Sequence, residues 1–308
     1  MISENMRFGF WPNPRSDYES TKILAQHAEA TGWDGIWLAD HFLPEEDALI
    51  PVHESWVTMA ALARDVPRVR LGTLVTGNTY RHPAVLANMA STLDNLADGR
   101  VVLGLGAGWQ QNEHDAYGIE YGTVGSRLDR LEEACQVIKG LFHTDHFSFS
   151  GQHYQLKNAP LEPKPLQAKI PLMIGGGGEK RTLNIAAQYA DEWNVWGDVK
   201  ILKNKMAILD QHCESIGRDP QEIERSAVAL LFLSDNESFL KKMRAADIAT
   251  PAIIGNVNEA IDIVANFKAA GVKELIVPDF TLGTLIGADS VKRDLMEKFI
   301  TEVVGASR

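Results

Sequence analysis

The chain of 308 residues contains little cysteine and no cluster of positive charge. Its two cysteines, Cys135 and Cys213, lie in helix-like segments without a CxxC partner, which argues against a disulfide framework and favours a reducing cytoplasm. Lys and Arg number 30 against 41 Asp and Glu, which gives a formal net charge of -11. Because binding to nucleic acid or to an anionic membrane requires a basic patch, we expect neither partner.

Long apolar runs and several catalytic motifs are also absent. No window approaches the roughly 20 apolar residues of a membrane span. Residues 1–5 lack the basic start of a signal peptide, so none is expected. The sequence has no HExxH or other metal-ligand spacing, no G-x-S-x-G turn, no dinucleotide-binding pattern and no P-loop. Metal catalysis and the chemistry of those motifs are therefore not expected.

Short apolar runs alternate with longer helical runs along the chain. The predicted strands are residues 8–10, 35–39, 69–75, 101–106, 171–174, 192–196, 227–233 and 274–278. The predicted helices are residues 18–31, 56–65, 83–97, 126–142, 182–190, 199–216, 258–270 and 290–303. This alternation predicts an α/β protein, a (β/α)8 TIM barrel that forms one domain over residues 1–308. An open, doubly wound sheet is the alternative fold.

One segment interrupts the alternation. Residues 146–156 alternate apolar and polar side chains around Gly151, which predicts a β-hairpin. With the proline-rich residues 160–165, it forms an insertion of about 144–170 between the fourth helix and the fifth strand. An excursion of this length is either a lid or binding wall, or a hairpin that only covers one edge of the barrel.

The apolar run over residues 35–39 ends in Asp40 and His41. In a parallel barrel, the C-terminal ends of the strands carry the active site. An imidazole at that place exchanges protons near neutral pH, so His41 is a candidate general acid or base. The alternative is a structural histidine.

Glycine-rich segments follow three other predicted strands. Gly175, Gly176, Gly177 and Gly178 precede a predicted helix, and this arrangement favours either a phosphate site or a turn without a ligand. Residues 104–109 are small enough to leave room for a flat ring, and Asn112 can hydrogen-bond the edge of a heterocycle; tight packing is the alternative. Residues 72–77 suit backbone contacts with a ligand or an ordinary turn.

Six segments in a fixed order resemble the luciferase-like monooxygenase superfamily, in particular its coenzyme F420-dependent branch. They are residues 35–42 (GIWLADHF), 70–87 (RLGTLVTGNTYRHPAVLA), 99–109 (GRVVLGLGAGW), 127–134 (RLDRLEEA), 171–183 (PLMIGGGGEKRTL) and 189–194 (YADEWN). Each segment is weak evidence alone, but their order along nearly the whole chain is specific.

The resemblance implies a (β/α)8 barrel, often a homodimer, with a flavin or deazaflavin ring across its mouth. It implies that Asp40 orients the imidazole of His41 or contacts the ring, and that a non-proline cis peptide joins Leu74 and Val75 behind the ring. The cofactor contacts implied by position come from Asp40, Leu74, Val75, Thr76, Ala107, Asn112, Gly175, Gly176, Gly177 and Gly178.

Trp109 departs from the pattern of one subgroup. Sugar-phosphate dehydrogenases of this superfamily resemble the chain but carry a carboxylate at this position, so oxidation of glucose 6-phosphate is doubtful. Trp109 instead suits stacking or an apolar substrate pocket. We expect the loops over residues 44–55 and 117–125 and the hairpin insertion to complete that pocket, with His53, Trp56 and Tyr121 as candidate wall residues.

The sequence thus predicts an F420-dependent oxidoreductase that transfers a hydride between C5 of the cofactor and a small organic substrate, with His41 handling the proton. One alternative is an FMN-dependent monooxygenase that uses reduced flavin and oxygen. Another is a non-catalytic flavin-binding protein. A Schiff-base aldolase is disfavoured because Lys273 precedes its strand. The prediction requires His41 and the four glycines to face one cavity.

Overall fold

The computed structural model describes residues 6–45, 49–246, 248 and 250–306. Residues 1–5, where no signal peptide is expected, and residues 46–48 of the predicted pocket loop lie outside these ranges.

Eight parallel strands close into a barrel, as predicted. The barrel strands are β1 (Arg7–Trp11), β2 (Gly35–Leu38), β3 (Arg70–Thr73), β5 (Val101–Gly106), β8 (Leu172–Gly175), β9 (Glu192–Trp196), β10 (Glu224–Val228) and β13 (Glu274–Pro278). The order around the barrel follows the chain, and pairing of β3 with β5 completes the circuit. A short strand, β4 (Thr76–Gly77), extends the edge of β5.

Helices follow the strands and cover the outside of the barrel. They are α1 (Tyr18–Thr31), α2 (Ser55–Asp65), α3 (Pro83–Leu96), α4 (Gln111–Tyr117), α5 (Val124–His143), α6 (Thr182–Tyr189), α7 (Val199–Ser215), α8 (Glu237–Ala245), α9 (Val257–Ala269) and α10 (Ser290–Lys298). Local sequence sets their ends. Asp17 caps α1 by accepting the Ser20 N–H at 2.8 Å, and Gly32 ends that helix with a φ of 101°, which favours glycine.

Two separate cores stabilise the barrel. The larger one packs the outward-facing strand residues, such as Phe8 and Ile36, against helix residues such as Leu24 and Ile138. The smaller one fills the interior around Trp37, which is completely buried. The interior is therefore a packed core rather than a channel.

Ion pairs close the N-terminal end of the barrel. The buried Glu274 accepts hydrogen bonds from Trp37 Nε1 at 2.8 Å, Arg70 Nη1 at 2.6 Å and Arg7 Nε at 3.2 Å. Arg70 also binds Glu192, and Arg7 also binds Glu224. The five charged residues of this network stand at the starts of their strands, so the opposite end of the barrel remains for ligands.

The predicted insertion is present as an antiparallel hairpin of β6 (His146–Ser150) and β7 (Gln155–Pro160), between α5 and β8. Its turn is fastened to α5 by Glu133, which accepts the N–H groups of Gln152, His153 and Tyr154 at 2.6, 2.9 and 3.0 Å. The hairpin therefore covers the flank of the barrel.

Some predicted boundaries are wrong. The predicted strand over residues 227–233 is two elements: β10 ends at Val228, and β11 (Leu230–Leu233) pairs outside the barrel with β12 (Ala252–Gly255). The strand predicted over residues 69–75 ends at Thr73, before a cis peptide bond between Leu74 and Val75. α4 and α8, with seven and nine residues, are absent from the prediction.

Within the described ranges, every helix is too short or too polar to cross a bilayer. The described side chains form no cluster of three His, Cys, Asp or Glu that could hold a metal ion. Cys135 and Cys213 are both buried and unpaired. Burial raises the pKa of the Cys135 thiol to about 12, so it is not a nucleophile at neutral pH.

Candidate functional site

The C-terminal ends of the strands open into a cavity of about 1080 Å³. His41, Gly175, Gly176 and Gly177 all line it, so the histidine and three of the four glycines face one space; Gly178 lies outside this lining. The volume exceeds the usual range of roughly 300–1,000 Å³ for ligand sites, so a ring cofactor and a second small molecule have room together.

Val75 sets the shape of the cavity floor. A Cβ atom placed on Gly106 would lie 2.8 Å from Val75 Cγ2, and one on Gly175 would lie 2.9 Å from both Val75 methyl groups. Real Cβ atoms do not approach so closely, so glycine at both strand ends is required by packing against Val75. Leu74 and Val75, joined by the cis peptide that the resemblance implies, both line the cavity.

His41 is held by a carboxylate that the sequence reasoning missed. Its Nδ1 lies 3.3 Å from Glu113 Oε2, and the Glu113 side chain is completely buried. The carboxylate also accepts the N–H groups of Phe42 at 2.7 Å and Leu43 at 2.9 Å, and the hydroxyl of Tyr80. Glu113 therefore fixes both the backbone after His41 and the imidazole itself.

The charge state of Glu113 determines the tautomer of His41. Burial opposes ionisation of Glu113, but hydrogen bonds from His41, Leu43 and Tyr80 outweigh it and hold its pKa below the usual value. An ionised carboxylate only accepts, so Nδ1 of His41 carries the hydrogen. In the neutral imidazole, Nε2, which no described residue hydrogen-bonds, is then the nitrogen that carries the lone pair.

Asp40 has different partners from those expected. It is 1 % exposed and accepts two hydrogen bonds from Arg81, at 2.5 Å and 3.1 Å, and one from Ser55 Oγ at 2.9 Å. Burial opposes the charge on Arg81, but Asp40 and Glu54 raise its pKa above the usual value. Asp40 lines the cavity. The imidazole, however, is oriented by Glu113.

Trp109 and Ala107 line the cavity, as the sequence suggested. The indole of Trp109 meets the His41 ring edge to face, with centroids 5.5 Å apart, and is 58 % exposed at the mouth. Tyr121 does not line the cavity; its hydroxyl donates to the Trp109 carbonyl at 2.6 Å and so supports that loop.

Besides Tyr121, five predicted site residues are absent from the cavity lining: Trp56, Thr76, Asn112, His53 and Gly178, the last of which borders a neighbouring groove. Trp56 is buried and donates from Nε1 to Thr76 Oγ1 at 3.0 Å, so the two belong to the packing behind the site. Asn112 donates from Nδ2 to the Pro44 carbonyl at 2.9 Å. His53 is exposed and borders a small neighbouring pocket. These residues support the loops of the site. The hairpin over residues 146–160 also contributes nothing to the lining.

A second, open groove of about 410 Å³ continues from the glycine loop. Gly177 borders both spaces, and Gly178, Lys180, Thr182 and Lys205 lie in the groove. Lys205 is paired with Glu179 at 2.8 Å. Arg181 binds Asp129 at 2.8 Å and Glu132 at 3.2 Å. Carboxylates hold both Lys205 and Arg181, so the backbone at the start of α6, together with Lys180, makes this end favour an anion.

A model of the luciferase-like monooxygenase family matches residues 5–270. The chain belongs to this family.

Curated relatives include F420-dependent and oxygen-using enzymes. The chain is 37 % identical to F420-dependent glucose-6-phosphate dehydrogenase of Amycolatopsis mediterranei over 54 % of its own length and 48 % of the relative's. It is 31 % identical to F420-dependent hydroxymycolic acid dehydrogenase of Mycobacterium tuberculosis, over 73 % and 61 %. It is also 31 % identical to a pyrimidine monooxygenase of Stutzerimonas stutzeri, over 62 % and 52 %. The chain thus spans about half the length of several curated relatives it matches.

Solved structures show the same fold at low identity. An F420-dependent secondary alcohol dehydrogenase superposes with a TM-score of 0.84 at 22 % identity, covering 99 % of both chains. A long-chain alkane monooxygenase superposes with a TM-score of 0.82 at 16 % identity, covering 98 % of this chain and 91 % of the other.

Proposed function

We propose that this protein is an F420-dependent oxidoreductase acting on a small organic substrate. The observation that carries the proposal is the single cavity shared by His41 and the glycine loop at Gly175 to Gly177. The named F420-dependent relatives support it. When bound, F420 supplies a C5 carbon that accepts or donates a hydride.

The residues present fit such a cofactor. Leu74 and Val75 form an apolar surface on which a flat ring can lie, with Ala107 beside it. Gly177 provides a cradle that a side chain would fill, since a Cβ there would lie 3.1 Å from Val195 Cγ2. Backbone N–H groups at the start of α6 suit a phosphate.

The groove beyond Gly177 favours F420 over FMN. The phosphate of FMN is a terminal group, whereas that of F420 is a diester that carries a further chain. The glycine loop opens into the groove that contains Lys180 rather than ending in a closed pocket. A cofactor with an anionic extension can therefore continue past the phosphate position.

The chain's own residues provide proton transfer and positioning. Glu113 holds the Nδ1–H of His41, so Nε2 accepts the proton released when an alcohol is oxidised, or returns it when a carbonyl is reduced. The imidazolium formed at that moment is stabilised by the buried carboxylate. Trp109 shields this ring from water at the mouth.

The test compares two cofactors and one variant. Titration of the purified protein should show F420 binding at least about tenfold tighter than FMN. His41→Ala should lower turnover by about 10²–10⁴, the usual contribution of a general acid or base, and leave the F420 dissociation constant within threefold. Tight FMN binding without F420 binding would indicate the monooxygenase alternative. Binding of F420 without turnover of any substrate would indicate a sequestering protein.

We also infer a homodimer in a reducing, cytoplasmic compartment. The family resemblance supports the dimer, and the two buried, unpaired thiols support the compartment. Sedimentation equilibrium checks the dimer, and fractionation of the source cells checks the location.

A further inference from the structure

Three aromatic side chains form one wall of the cavity. Trp11 lies between Trp196 and Phe280, with ring centroids 5.8 Å and 5.2 Å away respectively. All three line the cavity. We call Trp11, Trp196 and Phe280 the aromatic wall.

The aromatic wall and the proposed cofactor surface occupy different arcs of the barrel. The wall stands at the ends of β9, β13 and β1, whereas Val75, Ala107 and Gly175 stand near β4, β5 and β8. His41 follows β2, the strand next to β1 on the side of β3. Trp11, at the end of β1, is therefore one strand away from His41, so a substrate packed on the wall can reach Nε2 of His41 and face a ring lying over Val75.

The charges along the described lining oppose an anionic substrate. Glu45 and Asp40 line the cavity, and Asp40 is neutralised by Arg81 from behind. Arg15 is the one Lys or Arg among the described lining residues, and it is already engaged by another group. A phosphate monoester carries nearly two negative charges at neutral pH and would require more cations than this wall offers.

The entrance is apolar as well. Trp109 is 58 % exposed and Leu285 is 50 % exposed, and both line the cavity mouth. Large apolar side chains at the rim of a cavity lose their contact with water when an apolar molecule enters. Wall and entrance thus favour the same kind of molecule.

We propose, on the basis of the F420-dependent function above, that the substrate is a neutral alcohol or ketone with a hydrocarbon ring that packs against the aromatic wall. Oxidation breaks the carbinol C–H and O–H bonds and forms the second C–O bond of the ketone. The hydride, with both electrons, goes to C5 of oxidised F420, and the hydroxyl proton goes to Nε2 of His41.

The test measures kcat/KM of the F420-loaded enzyme with cyclohexanol, propan-2-ol and glucose 6-phosphate, from the loss of F420 absorbance. We expect cyclohexanol to exceed propan-2-ol by at least tenfold and glucose 6-phosphate by at least 100-fold. Phe280→Ala should lower the value for cyclohexanol about tenfold and that for propan-2-ol less than twofold. Calorimetric titration of the loaded enzyme with cyclohexanone should show the same tenfold loss of affinity.

Phe239→Ala is the matched control, because it removes the same side chain from α8, away from the cavity lining. It should change neither substrate's value by more than twofold. If Phe280→Ala does not fold, Leu285→Ser at the exposed rim should still lower the cyclohexanol value selectively, by about threefold.

A higher value for glucose 6-phosphate than for cyclohexanol, or equal losses for both alcohols in the variant, would overturn the substrate assignment. The F420-dependent function would stand in either case, since turnover would still be observed. Failure of F420 to bind the wild-type protein would instead remove the function itself.

Discussion

Replacement of Glu113 by Gln changes one oxygen for an NH2 group at the centre of the site. The amide oxygen can still accept the N–H groups of Phe42 and Leu43, as the carboxylate does at 2.7 Å and 2.9 Å. The NH2 group then faces Nδ1 of His41 and donates to it. Nδ1 must accept in that arrangement, so the hydrogen moves to Nε2, which no longer offers a lone pair to the substrate.

The magnitude follows from the bond that is lost. A hydrogen bond to a charged group contributes about 1.5–3 kcal/mol. The Nδ1 to Oε2 separation of 3.3 Å is long for such a pair, so the lower half of that range applies. At about 1.4 kcal/mol per factor of ten, kcat should fall about tenfold to fortyfold.

Two measurements separate this effect from a structural one. Nitrogen NMR of His41 should show the hydrogen on Nδ1 in the wild-type protein and on Nε2 in Glu113→Gln, and the F420 dissociation constant should stay within twofold. Glu133→Gln is the control, since Glu133 also accepts three backbone N–H groups but lies under the hairpin. It should leave kcat unchanged. An unchanged tautomer, or a kcat loss under threefold, would refute the reasoning.

Two further predictions concern packing and pH. Gly106→Ala should lower the free energy of unfolding by about 1–3 kcal/mol because its Cβ would lie 2.8 Å from Val75 Cγ2, and Val75→Ala in the same chain should recover part of the loss in urea denaturation. Burial opposes the charge on Asp289, but hydrogen bonds from Thr284 and the Lys292 N–H lower its pKa to about 2. A carboxyl whose pKa is lower in the folded than in the unfolded chain stabilises the fold at pH values above its unfolded pKa, which is near 4. This contribution is lost as the pH falls through the folded pKa of about 2. Asp289→Asn should therefore cost about 1 kcal/mol at pH 6, allowing for solvent screening, and the gap to wild type should shrink between pH 4 and pH 2; a gap independent of pH would contradict this.

The barrel was predictable because burial imposes a period on each element. The apolar run that ends at Asp40 and His41 predicts a strand whose end carries polar groups, and the structure places His41 in the cavity lining. The boundary at Val228 was not predictable, because β10 and β11 form one nearly continuous apolar run that divides between two sheets.

The side-chain contacts of the site could not be predicted, because they depend on loops and a short helix that show no hydrophobic periodicity. Glu113 lies on α4, a helix of seven residues, and only its position near the backbone of Phe42 and Leu43 makes it important. Conversely, Trp56 and Asn112 look like ligand-binding residues by type, but their polar atoms are used by Thr76 and Pro44. Residue type alone does not show which partner a polar group finds.

The ion pairs around Glu274 have a kinetic consequence for the proposed enzyme. Because ion pairs close that end and Trp37 fills the interior, the described residues leave the C-terminal mouth as the entrance for both reactants. Val75 lies on the cavity floor and Trp109 is exposed at the mouth, so we expect the cofactor to bind before the substrate and to leave after the product. Steady-state kinetics should accordingly show an ordered sequential mechanism in which the cofactor binds first.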